Sequence, residues 1–150
     1  MRLSLTNQGR FPKSALYIRR VLPTVIDILS IRRAMARFGE LDTDAFREAL
    51  RWDTDPLIVP VPGLESCASF SASNPDQIEL RESIFTEFEA GRGYLRSVHG
   101  LVPALGVNIL HEMCHWGDMR DGVQQTIDDG SLFEEGQAFE MAVYGRDLQC

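Results

Sequence analysis

The most constraining feature of this chain is the segment His111-Glu112-Met113-Cys114-His115, an H-E-x-x-H motif within an apolar stretch. The apolar residues around it predict a helix over about 101–116 that is buried on more than one side. Residues four apart lie on one face of a helix, so both imidazoles can approach one cation. Glu112 then lies close enough to take a proton from a water on that cation. The motif predicts a zinc (Zn²⁺) site with His111 and His115 as ligands and Glu112 as general base.

Two histidines leave a tetrahedral zinc site short of a protein ligand. We expect Glu135 to supply it, because the residues three, four, seven and eight positions further on are apolar and place it on an inward-facing helical stripe. A carboxylate on such a stripe is costly to bury without an ionic partner, and a metal would provide one. The alternative third ligands are Glu134, Asp121, Glu140 and Cys67.

Length and charge narrow the class of protein. The chain has 150 residues, which predicts a single domain over 1–150, and no apolar run long enough to span a membrane. The net charge is −7, and residues 111–150 hold nine carboxylates against two arginines. Because nucleic-acid affinity depends on clustered cations, this acidic end argues against a nucleic-acid binder. We find no secretory signal, which predicts a cytoplasmic location in the producing cell.

Periodicity and turn residues predict an α+β fold, rich in helices and with a short mixed sheet. Residues 1–12 are expected to be loosely ordered and 117–131 to form a loop. Helices are predicted over about 23–38, from Thr43 to about 50, over 101–116, and over 132–144 with an end at Gly145. Extended segments are predicted over 57–63, 67–72 and 78–80. We interpret Ile78-Glu79-Leu80 as an edge strand that could pair with an extended peptide substrate.

The motif and the residues after it resemble a known family. The likeness rests on residues 111–118, Asp121-Gly122, Glu134-Glu135-Gly136-Gln137-Ala138-Phe139-Glu140 and Tyr144-Gly145. The Glu-Gly-x-Ala helix start is similar to that of gluzincins, in which it supplies the third zinc ligand. The whole pattern resembles the metallopeptidase-toxin domains of bacterial polymorphic toxins, which are commonly parts of type VI secretion effectors or related effectors.

This resemblance implies a small zincin-like domain and a zinc-dependent peptidase that hydrolyses amide bonds through a metal-activated water. It also implies a peptide or protein substrate, a cognate immunity protein, and export as an effector by a specialised secretion system. One position departs from the pattern. Many gluzincins orient the first histidine with an aspartate four residues after the ligand glutamate, and here Phe139 stands at that place. Asp118 and Asn108 are the candidates to replace it.

Two alternative functions stay open. Peptide deformylases take their third ligand from a cysteine roughly forty residues before H-E-x-x-H, and Cys67 lies 44 residues before His111. The other alternative is a non-catalytic zinc-binding module, against which the intact Glu112 argues. For the peptidase, a donor besides zinc must stabilise the tetrahedral oxyanion, and Tyr144 and His99 are the candidates.

Overall fold

The computed structural model describes residues 1–121 and 134–148, the side chain of residue 121 excepted. Within them, helices dominate and the strands form two small sheets, so the predicted α+β class is confirmed. The described α-helices are α1 Leu5–Arg10, α2 Pro12–Leu16, α3 Leu29–Phe38, α4 Thr43–Leu50, α5 Glu82–Glu89, α6 Ala104–Asp118 and α7 Glu135–Tyr144. A π-helix spans Tyr17–Val21, and 3-10 helices span Leu22–Asp27 and Met119–Asp121. The described strands are β1 Leu57–Val61, β2 Ala68–Phe70, β3 Gln77–Arg81, β4 Tyr94–Ser97 and β5 Gly100–Pro103. Of the described helices, none combines the length and the apolar character that a bilayer-spanning segment needs.

The three-stranded sheet has β3 at its centre. β3 pairs in parallel with β1 and antiparallel with β2. Ile58, Ile78 and Leu80 alternate with less buried neighbours and are fully buried, so one face of the sheet packs against the core. The prediction of an edge strand at residues 78–80 is wrong. An alternating pattern reports which face of a strand is buried, and it carries no information on how many neighbouring strands pair with it.

Strands β4 and β5 form a hairpin that leads directly into α6. The predicted helix over 101–116 therefore has a different start, because residues 100–103 are a strand and α6 begins at Ala104. Pro103 stands at the junction, where its fixed φ and missing N–H suit the entry to a helix. The helix also continues two residues further than predicted, to Asp118.

Helix α6 crosses the centre of the core and is buried along most of its length. It packs against α3, α5, α7 and the strands β2 and β3. Gly117 permits the close approach to the end of α3, since a Cβ atom at this position would overlap the carbonyl oxygen of Gly39. The motif helix is thus held from several sides, which fixes the direction of its side chains.

The N-terminal residues are ordered, in contrast to the prediction that 1–12 are loose. Met1 and Leu3 are buried in the core, and α1 begins at Leu5. The Met1 ammonium group donates hydrogen bonds to the Ala49 carbonyl at 2.7 Å and to Thr54 Oγ1 at 2.8 Å. A local sequence pattern could not predict this order, because the partners lie about fifty residues further along the chain.

The predicted helix over 23–38 is divided in two. A 3-10 helix spans Leu22–Asp27, and α3 begins only at Leu29. Ile28 separates them with an extended backbone, at φ −88° and ψ 109°. At the break the apolar residues Ile28 and Leu29 are exposed, and the buried side of α3 begins at Ile31.

Helix α7 ends at Gly145, as the sequence predicts. Gly145 has φ 72°, a left-handed conformation that glycine adopts at little cost. The start of α7 is corrected from residue 132 to Glu135, and residues 122–133 lie outside the described part of the chain. Because α7 packs against α6 and α3, its first turn faces the H-E-x-x-H motif.

Candidate metal centre

The two motif histidines share one face of α6, with ring centroids 5.5 Å apart. Each side chain is 20 % exposed, although most of the helix around it is buried. Both rings therefore reach the surface at one point of a helix that otherwise belongs to the core. This is the arrangement that the spacing of the motif predicts.

The carboxylate that faces both rings belongs to Glu134. Its Oε2 atom lies 2.7 Å from His115 Nε2, and its Oε1 atom lies 3.3 Å from His111 Nε2. One ligand atom from each of the three residues lies within 4.8 Å of the other two. Among the described residues, His111, His115 and Glu134 are the histidine, cysteine, aspartate or glutamate side chains that come together in a group able to hold a metal ion. Two imidazole nitrogens and one carboxylate fit zinc, whose catalytic sites use three protein ligands and leave one position open.

Glu135, which we predicted as the third ligand, approaches the same pair of histidines from a different side. It is buried, as its place on the inward stripe requires, but its Oε2 atom is 3.5 Å from Nδ1 of His115, on the other side of that ring. Adjacent residues inside a helix point about 100° apart, but this rule does not apply to a residue that precedes the helix. Glu134 precedes the helix with an extended backbone, at φ −74° and ψ 170°. Its side chain is therefore free to turn back toward α6.

Glu134 also caps α7. Its carboxylate accepts hydrogen bonds from the backbone N–H groups of Gly136 at 2.9 Å and Gln137 at 2.7 Å. These groups have no partner within the helix, and the positive end of the helix dipole favours a negative charge there. One carboxylate thus fixes the start of α7 and presents its oxygens to both histidines.

The charges at this cluster shift the pKa values of its members. Burial disfavours a charged His111, but hydrogen bonds with Glu134 and Glu140 outweigh it and raise the pKa of His111 to about 10. Burial opposes charge on His115 as well, and the hydrogen bond with Glu134 prevails, so its pKa is also raised. Against the effect of burial, the same two imidazoles lower the pKa of Glu134. The cluster therefore attracts cations, and a divalent metal ion would compete with the protons on both rings.

Gly136 is required for the approach of α7 to α6. A Cβ atom at this position would overlap Cδ2 and Nε2 of His111. The backbone of the first turn of α7 therefore lies against the ring of His111, and every larger residue would displace it. This contact gives a physical reason for a glycine after the paired glutamates.

Glu140 orients the first histidine. Its Oε1 atom lies 2.7 Å from Nδ1 of His111, and the residue is 3 % exposed. Asn108, one of the two predicted candidates for this role, instead donates its amide to the carbonyl of Ala104 at 2.8 Å. Asp118, the other candidate, is buried at the end of α6. The sequence offers Glu140 only as an alternative ligand, and its contact with His111 is not predictable from helical spacing, because the contact joins two helices.

Glu112 lies beside the cluster and is 7 % exposed. Burial is the main cause that raises the pKa of its carboxyl group, while the charges of His111 and His115 act in the opposite direction. A hydrogen bond from the backbone of Phe70 in β2 further limits the shift. The carboxyl group is thus held between α6 and β2, with a proton affinity above that of an ordinary glutamate.

An open groove of about 340 Å³ runs from Glu112 and His115 along β2. Small side chains form much of its wall on the strand side, namely those of Ser66, Ala68, Ser69 and Ala72. Because β2 is an edge strand, its outer side has no strand partner among the described residues. A chain in extended conformation could lie in this groove next to Glu112.

The structure does not bring the predicted oxyanion donors to the cluster. Tyr144 is buried and packs edge-on against Phe139, with ring centroids 6.1 Å apart. Burial, with the charges of Tyr17 and Glu140, raises the pKa of its hydroxyl group. His99 is exposed in the turn between β4 and β5, where its N–H donates to Ser97 Oγ.

The remaining alternative ligands are Cys67 and Asp121. Cys67 is disulfide-bonded and has no thiolate to offer a metal, which removes the observation that favoured a deformylase-like site. The side chain of Asp121 lies outside the described part of the chain, so that alternative stays a prediction. Cys114 is a free, fully buried thiol on the core side of α6.

The family model described as metallopeptidase toxin 3 matches residues 7–145. No curated protein matches the chain, and no solved structure does. The matched range contains the H-E-x-x-H motif, Glu134, Glu140 and the end of α7.

Proposed function

The chain belongs to the metallopeptidase toxin 3 family, and from this premise we propose that it is a zinc-dependent peptidase that hydrolyses amide bonds of a protein substrate. The family indicates a peptidase toxin that uses a metal. The observation that carries the zinc assignment is the approach of two imidazole Nε2 atoms to one carboxylate. Magnesium and calcium prefer oxygen ligands, so a site with two nitrogens favours zinc.

The ligands in this proposal are Nε2 of His111, Nε2 of His115 and the carboxylate of Glu134. Glu134 replaces the predicted Glu135, because the Glu134 oxygens face the two Nε2 atoms while Glu135 approaches Nδ1 of His115. Each carboxylate oxygen has two lone pairs, so Glu134 can bind a metal and still accept the N–H groups at the start of α7.

When bound, zinc supplies Lewis-acid chemistry: it makes water more acidic and polarises a carbonyl group. The Glu112 carboxylate accepts the proton from the attacking water and transfers it to the nitrogen of the leaving amine. Its raised pKa suits both steps, because the group must take and release a proton near neutral pH. The hydrogen bond from the Phe70 backbone keeps the carboxylate at the end of the groove.

We propose that the substrate binds as an extended chain along β2. The edge of β2 can offer backbone hydrogen bonds to a peptide, a common mode of recognition. The groove ends at Glu112 and His115, so a peptide on this edge would bring one of its carbonyl groups to the cluster. The small side chains of the wall leave room for the residues of the substrate.

The decisive experiment combines zinc content with turnover. We expect the purified protein to bind one zinc ion and to cleave an unfolded protein substrate. Glu112→Gln should keep the zinc and lose about 10²- to 10⁴-fold in kcat, the range for general acid–base groups. Asp44→Asn is the control, because this carboxylate is 92 % exposed on α4. A chain that binds no zinc, or a Glu112→Gln variant with undiminished kcat, would contradict the proposal.

A toxic role predicts an effect on cells that depends on the same residue. We propose that production of the wild-type chain in the bacterial cytoplasm arrests growth and that Glu112→Gln restores it at equal protein level. A cognate immunity protein and export by a specialised secretion system belong to the same proposal. Equal toxicity of both forms would separate the toxic effect from peptide hydrolysis.

A further inference from the structure

Both carboxylate oxygens of Glu140 make hydrogen bonds, one with a residue earlier in the sequence and one with a residue later in it. Oε1 lies 2.7 Å from Nδ1 of His111 on α6. Oε2 accepts the backbone N–H of Leu148, eight residues further on. Glu140 is 3 % exposed, so these two contacts are what compensates the burial of its charge. The carboxylate therefore connects the motif helix to the segment that follows α7.

The segment 145–148 folds back because Gly145 ends α7 in a left-handed conformation. Leu148 is 7 % exposed and belongs to the core cluster, so its backbone is held close to the helix that it has just left. The donor to Glu140 is a main-chain N–H, and its position depends on the path of this segment.

The contact with Glu140 has a consequence for the ring of His111. A carboxylate accepts hydrogen bonds, so Nδ1 of His111 must carry a proton. In the neutral ring, Nε2 is then left with its lone pair free, on the side that faces Glu134. Partners of this kind fix the tautomer and the orientation of a metal-binding histidine, and their loss typically weakens metal binding 10- to 100-fold.

We propose that the segment 145–148 sets the metal affinity of the site, through a latch in which the Leu148 N–H holds Glu140 against His111. The inference rests on the proposed zinc site. It assigns Glu140 as a positioning residue and gives the chain after α7 a functional role. A binding partner that displaces residues 145–148 would lower the metal affinity without contacting a metal ligand.

The test compares zinc dissociation constants, measured by competition with a chromophoric chelator. Glu140→Ala should weaken zinc binding about 10- to 100-fold. Glu140→Gln should also weaken zinc binding. Its side chain has one oxygen and one NH₂ group, so either His111 Nδ1–H or the Leu148 N–H would face another donor. Leu148→Pro removes the donor together with the buried leucine side chain, and it should weaken zinc binding about tenfold, within the same range. Two controls separate these changes: Leu148→Ala loses the side chain and keeps the N–H, and Asp147→Pro adds the ring and keeps the Leu148 N–H.

A double-variant cycle separates the latch from general damage. If Leu148 acts through Glu140, the combination of Glu140→Ala with Leu148→Pro should bind zinc no more weakly than Glu140→Ala alone. Additive losses in zinc affinity, or a Leu148→Pro variant that binds zinc like the wild type, would overturn the inference. Should Leu148→Pro fail to fold, judged by the circular dichroism of the metal-free protein, Gly145→Ala takes its place, because it strains the left-handed turn that directs the segment back to Glu140; unchanged zinc affinity in that variant would overturn the inference. Wild-type protein that binds no zinc would instead contradict the proposed function.

Discussion

Helices α6 and α7 both contribute to the proposed metal centre, but they do so in different ways. α6 contributes His111 and His115 from its interior, where the backbone is regular and the ring positions follow from a spacing of four. α7 contributes Glu134 from the residue before its first turn, where the backbone is extended. Periodicity is therefore a reliable guide to side-chain direction inside a helix, and it does not apply to the capping residue.

The two helices also differ in what holds their contributing residues in place. On α6 the core holds the helix from several sides. At the start of α7, the same few groups form the helix cap, the ring contact at Gly136 and the approach to both histidines. A substitution at the start of α7 should thus affect folding and metal binding together. Substitutions of adjacent residues there should have very different effects on zinc affinity.

The largest effect is expected from a comparison of the adjacent residues Glu134 and Glu135. Glu134→Ala removes the carboxylate between the two Nε2 atoms and should weaken zinc binding by more than about 100-fold, beyond the range for outer-shell partners. Glu135→Ala should weaken it by less than about tenfold, because this carboxylate approaches only Nδ1 of His115. The zinc dissociation constants of the two variants provide the measurement. The reverse order of effects would restore Glu135 as the ligand.

A second prediction concerns the contact between Gly136 and His111. Gly136→Ala should displace the ring and greatly reduce zinc affinity, and it should lower the free energy of unfolding by about 1–3 kcal/mol, as overpacking does. Gly9→Ala is the control, since a Cβ atom at Gly9 in α1 has no heavy atom within 4 Å. Zinc titration and urea unfolding of both variants measure the difference. Equal zinc affinity of Gly136→Ala and the wild type would show that the first turn of α7 does not press on the ring.

The dependence of stability on pH should differ between the metal-free and zinc-bound forms. In the metal-free fold the pKa of His111 is about 10, above its ordinary value of 6.5. Folding therefore favours the protonated ring, and this stability is complete below pH 6.5 and is lost as the pH rises toward 10, by an amount on the order of 5 kcal/mol. Zinc requires the neutral ring, so the bound form should not show this decline.

Urea unfolding at several pH values, with chelator and with zinc, measures this difference. His111→Gln should reduce the decline in the metal-free protein, and the remaining decline comes from His115, whose pKa is also raised. An identical decline with zinc and with chelator would mean that zinc does not replace the proton on His111.

The parts of the fold that the sequence predicts are those with strong local patterns. α6 and the end of α7 at Gly145 follow from a long apolar helix and a glycine stop. α5 and the β4–β5 hairpin were not predicted, because short elements with partly exposed residues give little periodic signal. At the site, the common face of His111 and His115 follows from their spacing. The contacts of Glu134 and Glu140 depend on how α7 docks on α6, and that information is tertiary.

The smallest effect is expected at Asp42, which caps α4 as Glu134 caps α7. Asp42 Oδ1 accepts the N–H groups of Asp44 at 3.0 Å and Ala45 at 2.8 Å, the same two positions after the cap. Asp42→Ala should therefore cost about 1 kcal/mol in urea unfolding, as loss of a cap does, and leave zinc affinity unchanged. Glu134→Ala should change both quantities, since this cap also faces the histidines. If the two variants lost zinc affinity equally, the loss at Glu134 would come from a disordered helix start, and the carboxylate would have no role as a ligand.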